Sequence, residues 1–200
     1  MIGSHPGGIG LTQRLFGLAE GECLVKGVDL GAGDGTSVRY LREKGYQVTG
    51  VDNQEFDGEA VIWGDITAMD VLEGSLDFCL AECSVSVCGD GRSALLEAYR
   101  VLRPGGSLLL SDVFFHKEEA PSLSMPKPLT FGCWEREFEK AGFEIKAMVD
   151  ETALWREFFL ESLWNGNADA GLCEFFGKAG RAQCGYFLAW LRKGEGDGFI

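Results

Sequence analysis

The sequence predicts an α/β fold: a doubly wound, mostly parallel seven-stranded sheet with helices on both faces. Three observations predict it. Short apolar or β-branched runs alternate with amphipathic helical stretches along most of the chain. The first run ends in a glycine-rich turn that leads straight into a helical pattern, as a strand-to-helix crossover requires. Length and composition agree, because 200 residues with 46% hydrophobic content suit one domain with a substantial core.

Taken in order, "LVKGVDLG" (24–31) is a buried parallel strand ended by glycine. "TSVRYLREKG" (36–45) is a helix, with Thr36 as its expected cap, Val38 and Leu41 on one face, and Gly45 at its end. "YQVTGVD" (46–52) alternates and forms the second strand; "AVIWGD" (60–65) forms the third and "SLDFCLAECSV" (75–85) the fourth. "GRSALLEAYRVLRPGG" (91–106) is a helix that runs until Pro104-Gly105-Gly106 stops it. "SLLLSDVFF" (107–115) is the fifth strand, and the proline-rich 120–128 is a loop. The helix "CWEREFEKAGF" (133–143), the strand "FEIKAMV" (143–149), the helix "TALWREFFLESLW" (152–164) and the strand "GYFLAWLRK" (185–193) complete the chain. In such sheets ligands sit at the carboxyl ends of the strands, near the switch in strand order, so the residues just after each strand matter most.

A net charge of −13 excludes a basic track for a phosphate backbone, so no nucleic-acid partner is expected. No window holds 18 unbroken apolar residues and the start lacks a signal-peptide pattern, so no membrane association is expected. Seven irregularly spaced cysteines suit a reduced, cytoplasmic protein. No metal site is expected, and the pattern does not indicate an oligomeric state.

The turn "GAGDGT" carries glycines at 31, 33 and 35, and Asp52 lies 21 positions beyond the first of them. A dinucleotide fingerprint needs a glycine at the sixth position, which is Thr36 here, and Asp34 within the loop would repel a diphosphate. Together with Asp29 in the preceding strand, the negative charge suits a cationic ligand: a sulfonium with an ammonium group.

At these residues the chain resembles the class I S-adenosylmethionine-dependent methyltransferases. "VDLGAGDGTSVRYLREKGYQVTGVD" is similar to their first two cofactor motifs, "GDI" (64–66) to their adenine-contacting turn, and "EAYRVLRPGGSLLLSDV" (97–113) to their signature into strand 5. The resemblance covers roughly residues 24–149. It implies a Rossmann-like sheet with the last strand antiparallel, S-adenosyl-L-methionine as cofactor and methyl transfer by direct displacement. It also implies one methyltransferase domain over 1–200, with an N-terminal lid and helix segment (1–22), a cofactor-binding core (23–149) and C-terminal helices with a final strand (150–200).

Residue by residue, the resemblance places Gly31, Ala32 and Gly33 beneath the methionine part of the cofactor, with Asp29 holding its ammonium group. Asp52 would bind the ribose hydroxyls, Asn53 would flank the adenine, Asp65 would accept from its amino group and Ile66 would pack on the ring. Glu82, also a cofactor contact, and Cys83 would lie closest to the transferred methyl.

The chain departs from the pattern at one place. Only 13 steps separate Asp52 from Asp65, too few for the usual helix plus a strand. The N-terminal segment around His5 and Thr12 is a candidate cover for the opening.

Direct displacement needs a general base only when the acceptor holds its proton. His116, just after strand 5, is the candidate base, against an ordinary surface role. The family's DNA amino-methylating enzymes carry a proline-bearing turn after strand 4 that "AECSVSVCG" lacks, so a small-molecule acceptor is expected. The region from Ala81 to Val113 also resembles arsenite methyltransferases, which makes a soft acceptor such as arsenite or a thiol, held by Cys83 and Cys133, one alternative. Cys23 and Cys79 read as buried core, and Trp134, Trp155, Phe158 and Phe159 as core first and acceptor pocket second. A non-catalytic S-adenosylmethionine-binding protein in a larger assembly, and an NAD-dependent oxidoreductase, are the rivals from other classes.

Overall fold

The computed structural model describes residues 5–56, 58–117, 123–127, 129–164, 177, 180 and 182–195, without the side chains of 159 and 162–164. Its elements are α1 (Gly8–Leu18), β1 (Lys26–Leu30), α2 (Thr36–Glu43), β2 (Gln47–Asp52), β3 (Val61–Trp63), β4 (Leu76–Glu82), α3 (Gly91–Val101), β5 (Leu102–Phe115), α4 (Phe131–Lys140), β6 (Phe143–Asp150), α5 (Thr152–Trp164) and β7 (Cys184–Lys193). The seven strands form one sheet in the order β3-β2-β1-β4-β5-β7-β6. β1 to β5 pair in parallel, whereas β7 runs antiparallel to both β5 and β6. The expected doubly wound sheet with an antiparallel last strand is therefore present, and its order reverses between β1 and β4.

The central strands are buried end to end because helices cover both of their faces, which is why β4 and β5 read as apolar runs instead of alternating ones. On one face Phe16 of α1 and Tyr46 pack edge-on against Phe78 of β4, with ring centroids 4.9–5.8 Å apart. On the other, Trp134 and Phe138 of α4 enclose Phe187 of β7, and the Trp134 indole donates to the Val113 carbonyl at 2.9 Å. Trp134 is thus core, as its helical spacing implied. Cys79 is buried too, but Cys23 is exposed, against expectation, because it lies in the turn before β1 and not on a strand.

Two boundaries differ from the sequence reading for local reasons. The helix before β5 ends at Val101, and Leu102 is already extended at φ −69, ψ 137. Arg103 precedes proline and so avoids the helical region, which moves the break upstream of Pro104. Residues 103–106 bulge out of the ladder, and β4–β5 pairing resumes at Phe78 and Ser107. At α2 the N-cap is Gly35, not Thr36; the Asp34 carboxylate accepts from the Thr36 N–H and hydroxyl at 2.9 and 2.7 Å and caps in its place.

The short span after Asp52 is borne out as well. No helix occurs among the described residues between β2 and β3, and β3 is only three residues long. The face of the β1–β3 wing opposite α2 carries a groove of about 640 Å³ lined by Val28, Thr49, Val51 and Leu76, and no helix occurs among the described residues of the β3–β4 connection that borders it. Ile62 and Leu72 on its rim are 53% and 81% exposed. Among the described residues, no helix is long and apolar enough to cross a membrane.

Candidate functional site

At the point where strand order reverses, the chain leaves β1 through Gly31, whose φ of +72 is one that glycine alone adopts without strain. The turn is pinned to β2, because the Gly31 and Ala32 N–H groups both donate to the Val51 carbonyl, at 2.8 and 3.2 Å. Gly33, at φ +54, donates its N–H to Asp52 Oδ2 at 2.9 Å, while Asp52 Oδ1 accepts from the Gln54 N–H at 2.9 Å. The Asp52 carboxylate is thereby fixed between the glycine turn and its own downstream bend, and each oxygen keeps acceptor capacity for a ligand hydroxyl.

A cavity of about 270 Å³ opens here. Gly31, Asp52, Asn53 and Gln54 form one side, Gly64, Asp65 and Ile66 a second, and Cys83, Ser84, Val87 and Cys88 the third. Asp65 is exposed and accepts from the Thr67 N–H and hydroxyl, which hold its carboxyl below the usual range. Ile66 is buried and gives the cavity an apolar wall. Ala32 does not line it; its Cβ points to the backbone of Gly50 on β2.

Buried acids gather beneath the turn. Asp29 is 3% exposed and accepts no hydrogen bond from any described residue. Burial pushes its carboxyl well above the usual range, and the neighbouring Glu82 and Asp52 carboxylates push it further. Glu82, at the end of β4, is satisfied instead: Thr12 donates to both of its oxygens at 3.0 and 3.2 Å, and Ser37 donates at 2.8 Å. His5 Nε2 stands 3.5 Å from the same carboxylate. Burial raises the Glu82 carboxyl, and the His5, Ser37 and Thr12 contacts pull it part of the way back. The N-terminal segment therefore reaches over the end of β4, and both His5 and Thr12, singled out from sequence, contact Glu82.

Beyond Glu82 the backbone kinks. Cys83 is one of two described non-glycine residues with positive φ, at +58. Its Sγ lies 3.2 Å from the Tyr186 hydroxyl, which is also hydrogen-bonded to Ser111 Oγ at 2.9 Å. Burial pushes this thiol well above its ordinary range, and Asp112 adds to the rise. The loop after Cys83 is clamped by Asp112, which accepts from the Ser86 hydroxyl at 2.5 Å and the Ser86 N–H at 2.9 Å.

Other expected residues lie elsewhere. Cys133 lies in the first turn of α4 and directs its thiol to the Pro126 carbonyl at 3.5 Å, and burial raises it as well. His116 is exposed, its ring against Phe114 at 5.1 Å, and does not line the cavity. Trp155 stacks on Tyr186 at 6.5 Å, on the Cys83 side of the site. The Phe159 side chain lies outside the described residues. Sequence reasoning missed Ser37, Ser84, Asp112 and Tyr186. Ser37 alone carried a signal, since it follows the glycine turn in the first turn of α2.

The fold and cradle define a doubly wound α/β protein with a nucleoside-cofactor site at its switch point. The methyltransferase domain family matches residues 28–110, and that core is similar to S-adenosylmethionine-dependent methyltransferases. The malonyl-[acyl-carrier protein] O-methyltransferase of Serratia marcescens is 32% identical over 108 residues, 50% of this chain and 42% of that protein. The arsenite methyltransferase of Aquipseudomonas alcaligenes is 35% identical over 69 residues, 34% of this chain and 20% of that protein. The matches thus span less than half of these relatives' length. Among solved structures, the [4+2]-cyclase SpnF superposes with a TM-score of 0.72 at 20% identity, covering 97% of this chain and 84% of that one. At that identity the likeness concerns the fold alone.

Proposed function

We propose that the protein transfers a methyl group from S-adenosylmethionine to a small-molecule acceptor by direct displacement. The observation that carries this reading is Asp29, a buried carboxyl without a hydrogen-bond donor, set between two further acids beside a glycine turn. Such a group calls for a cationic ligand with N–H donors. In this reading Asp29 takes the ammonium group, Gly31 and Gly33 admit the methionine part, and Asp52 accepts from the ribose hydroxyls. Asn53, Asp65 and Ile66 hold the adenine. Glu82 and Cys83 stand nearest the reacting centre, at the join of the cavity with the Tyr186 side. The bound sulfonium supplies the methyl electrophile, so the chain's task is alignment and exclusion of water.

Glu82 supports proton acceptance better than His116, because it is buried at the site and its carboxyl is raised toward neutrality. The Cys83 and Cys133 thiols are raised, whereas a soft metalloid acceptor needs thiolates. An organic acceptor is therefore preferred to arsenite despite the similarity of the matched segment. We read residues 1–200 as one methyltransferase unit, with 1–22 as the covering segment, working in the cytoplasm with its thiols reduced.

Calorimetry with S-adenosylmethionine and S-adenosylhomocysteine tests the first step; absence of binding to both sinks the reading. Mass spectrometry of an acceptor panel tests the second. The panel includes amines, phenols, thiols and a carrier-linked malonyl thioester, the last chosen because of the Serratia relative. Binding with no methylated product across it favours a non-catalytic binding protein.

A further inference from the structure

We propose that Ser84 donates a hydrogen bond to the carboxylate at the amino-acid end of the cofactor. This rests on the cavity being an S-adenosylmethionine site. β4 ends at Glu82, and the left-handed backbone of Cys83 turns Ser84 back against the glycine turn instead of onward from the sheet. Ser84 Cβ and Oγ lie 2.5 and 3.4 Å from where a Cβ on Gly31 would stand, so the side chain meets the turn that the methionine part must cross. Ser84 is 6% exposed, and its Oγ has no hydrogen-bond partner among the described residues. It lines the cavity together with Gly31 and Cys83, which leaves a ligand group as the partner that is missing.

The neighbouring hydroxyls decide which group. Thr12 and Ser37 already donate to Glu82, and the buried acid Asp29 answers to an ammonium. Among the described residues beside the turn, Ser84 is the hydroxyl with an uncommitted proton, and a carboxylate is the part of a zwitterion that needs one. The clamp of Asp112 on Ser86, two residues on, keeps this loop from swinging the hydroxyl out to water.

Two ligands separate this contact from the rest of the site: S-adenosylhomocysteine, which has the amino-acid end, and 5′-methylthioadenosine, which lacks it. In calorimetry, Ser84→Ala weakens S-adenosylhomocysteine by about 10- to 100-fold, the range of a hydrogen bond to a charged group, and leaves 5′-methylthioadenosine as in the parent protein. The ligand-free variant unfolds at the same temperature as the parent or a higher one, because no hydrogen bond is lost. Ser84→Gly, as a second variant, follows the same ligand pattern. Unchanged S-adenosylhomocysteine affinity, or equal loss for both ligands, overturns the proposal. Failure of the parent protein to bind S-adenosylhomocysteine overturns the reading of the cavity itself, and this contact with it.

Discussion

Gly31 and Gly33 lie in the same turn and both have positive φ, yet alanine at the two positions has different consequences. At Gly33, φ is +54 and an added Cβ meets nothing within 4 Å, so the cost is backbone strain alone. A left-handed residue with a Cβ costs about 1–2 kcal/mol. At Gly31, φ is +72, and an added Cβ also lies 2.5 Å from Ser84 Cβ, closer than such atoms approach. Overpacking of that kind adds about 1–3 kcal/mol, which brings Gly31→Ala to about 2–5 kcal/mol in total. For a domain of this size each kcal/mol shifts the unfolding midpoint by about 2–4 °C. Thermal unfolding of the ligand-free variants reads the difference directly. The double variant Gly31→Ala/Ser84→Gly removes the opposing Cβ and recovers the packing part, a coupling of about 1–3 kcal/mol. Equal destabilisation at the two glycines, or additivity in the double variant, would refute the close approach of Ser84 to the turn.

Asp52→Ala removes the acceptor for both the Gly33 and Gln54 N–H groups and, in the proposed reading, for the ribose. It is expected to keep the fold while losing roughly 100-fold or more in cofactor affinity by calorimetry, within the worth of two charge-assisted hydrogen bonds; unchanged affinity removes the ribose assignment. The Asp112 carboxyl is pushed up to about 6 by burial, against 3.8 unfolded. Its contribution to stability is therefore complete below pH 4 and lost as pH rises through 6, by about 3 kcal/mol. In urea unfolding across that range the parent protein should lose about 3 kcal/mol more than Asp112→Asn does; identical pH dependence in the two contradicts it. The Cys83→Ser/Cys133→Ser pair should leave methyl transfer to an organic acceptor in place, whereas loss of arsenite binding in the pair would revive the metalloid reading.

Element types were legible from periodicity and punctuation, because each strand and helix buries a face whose spacing is local. The absent helix after Asp52 was legible for a simpler reason: the residues needed to build it are missing from the count. Asp52, Asp65 and Ile66 line the cavity because they sit at strand ends, where topology puts a ligand. What escaped depends on non-local contact or on neighbouring backbone. The break before β5 arises from the residue ahead of Pro104, and the cap of α2 comes from Asp34 reaching forward. Tyr186 meets Cys83 across 103 positions of sequence, and Thr12 meets Glu82 across 70, only because β7 and α1 fold back over the end of β4. His116 looked comparable to these by position, but its strand end carries it to the solvent side.

The uncovered groove beneath β1–β3 bears on how the cofactor site holds its shape. Asp52, Asn53, Asp65 and Ile66 all hang from this wing, whose outer strand is three residues long and lacks a helix on one face. Elements with few buried apolar contacts open at lower free energy than the rest of a protein. Asp52, Asp65 and Ile66 thus sit on the thinner side of the sheet, while Asp29 and Glu82 stand on the central, almost wholly buried strands β1 and β4. A ligand that reached both halves would tie the thin wing to the central strands.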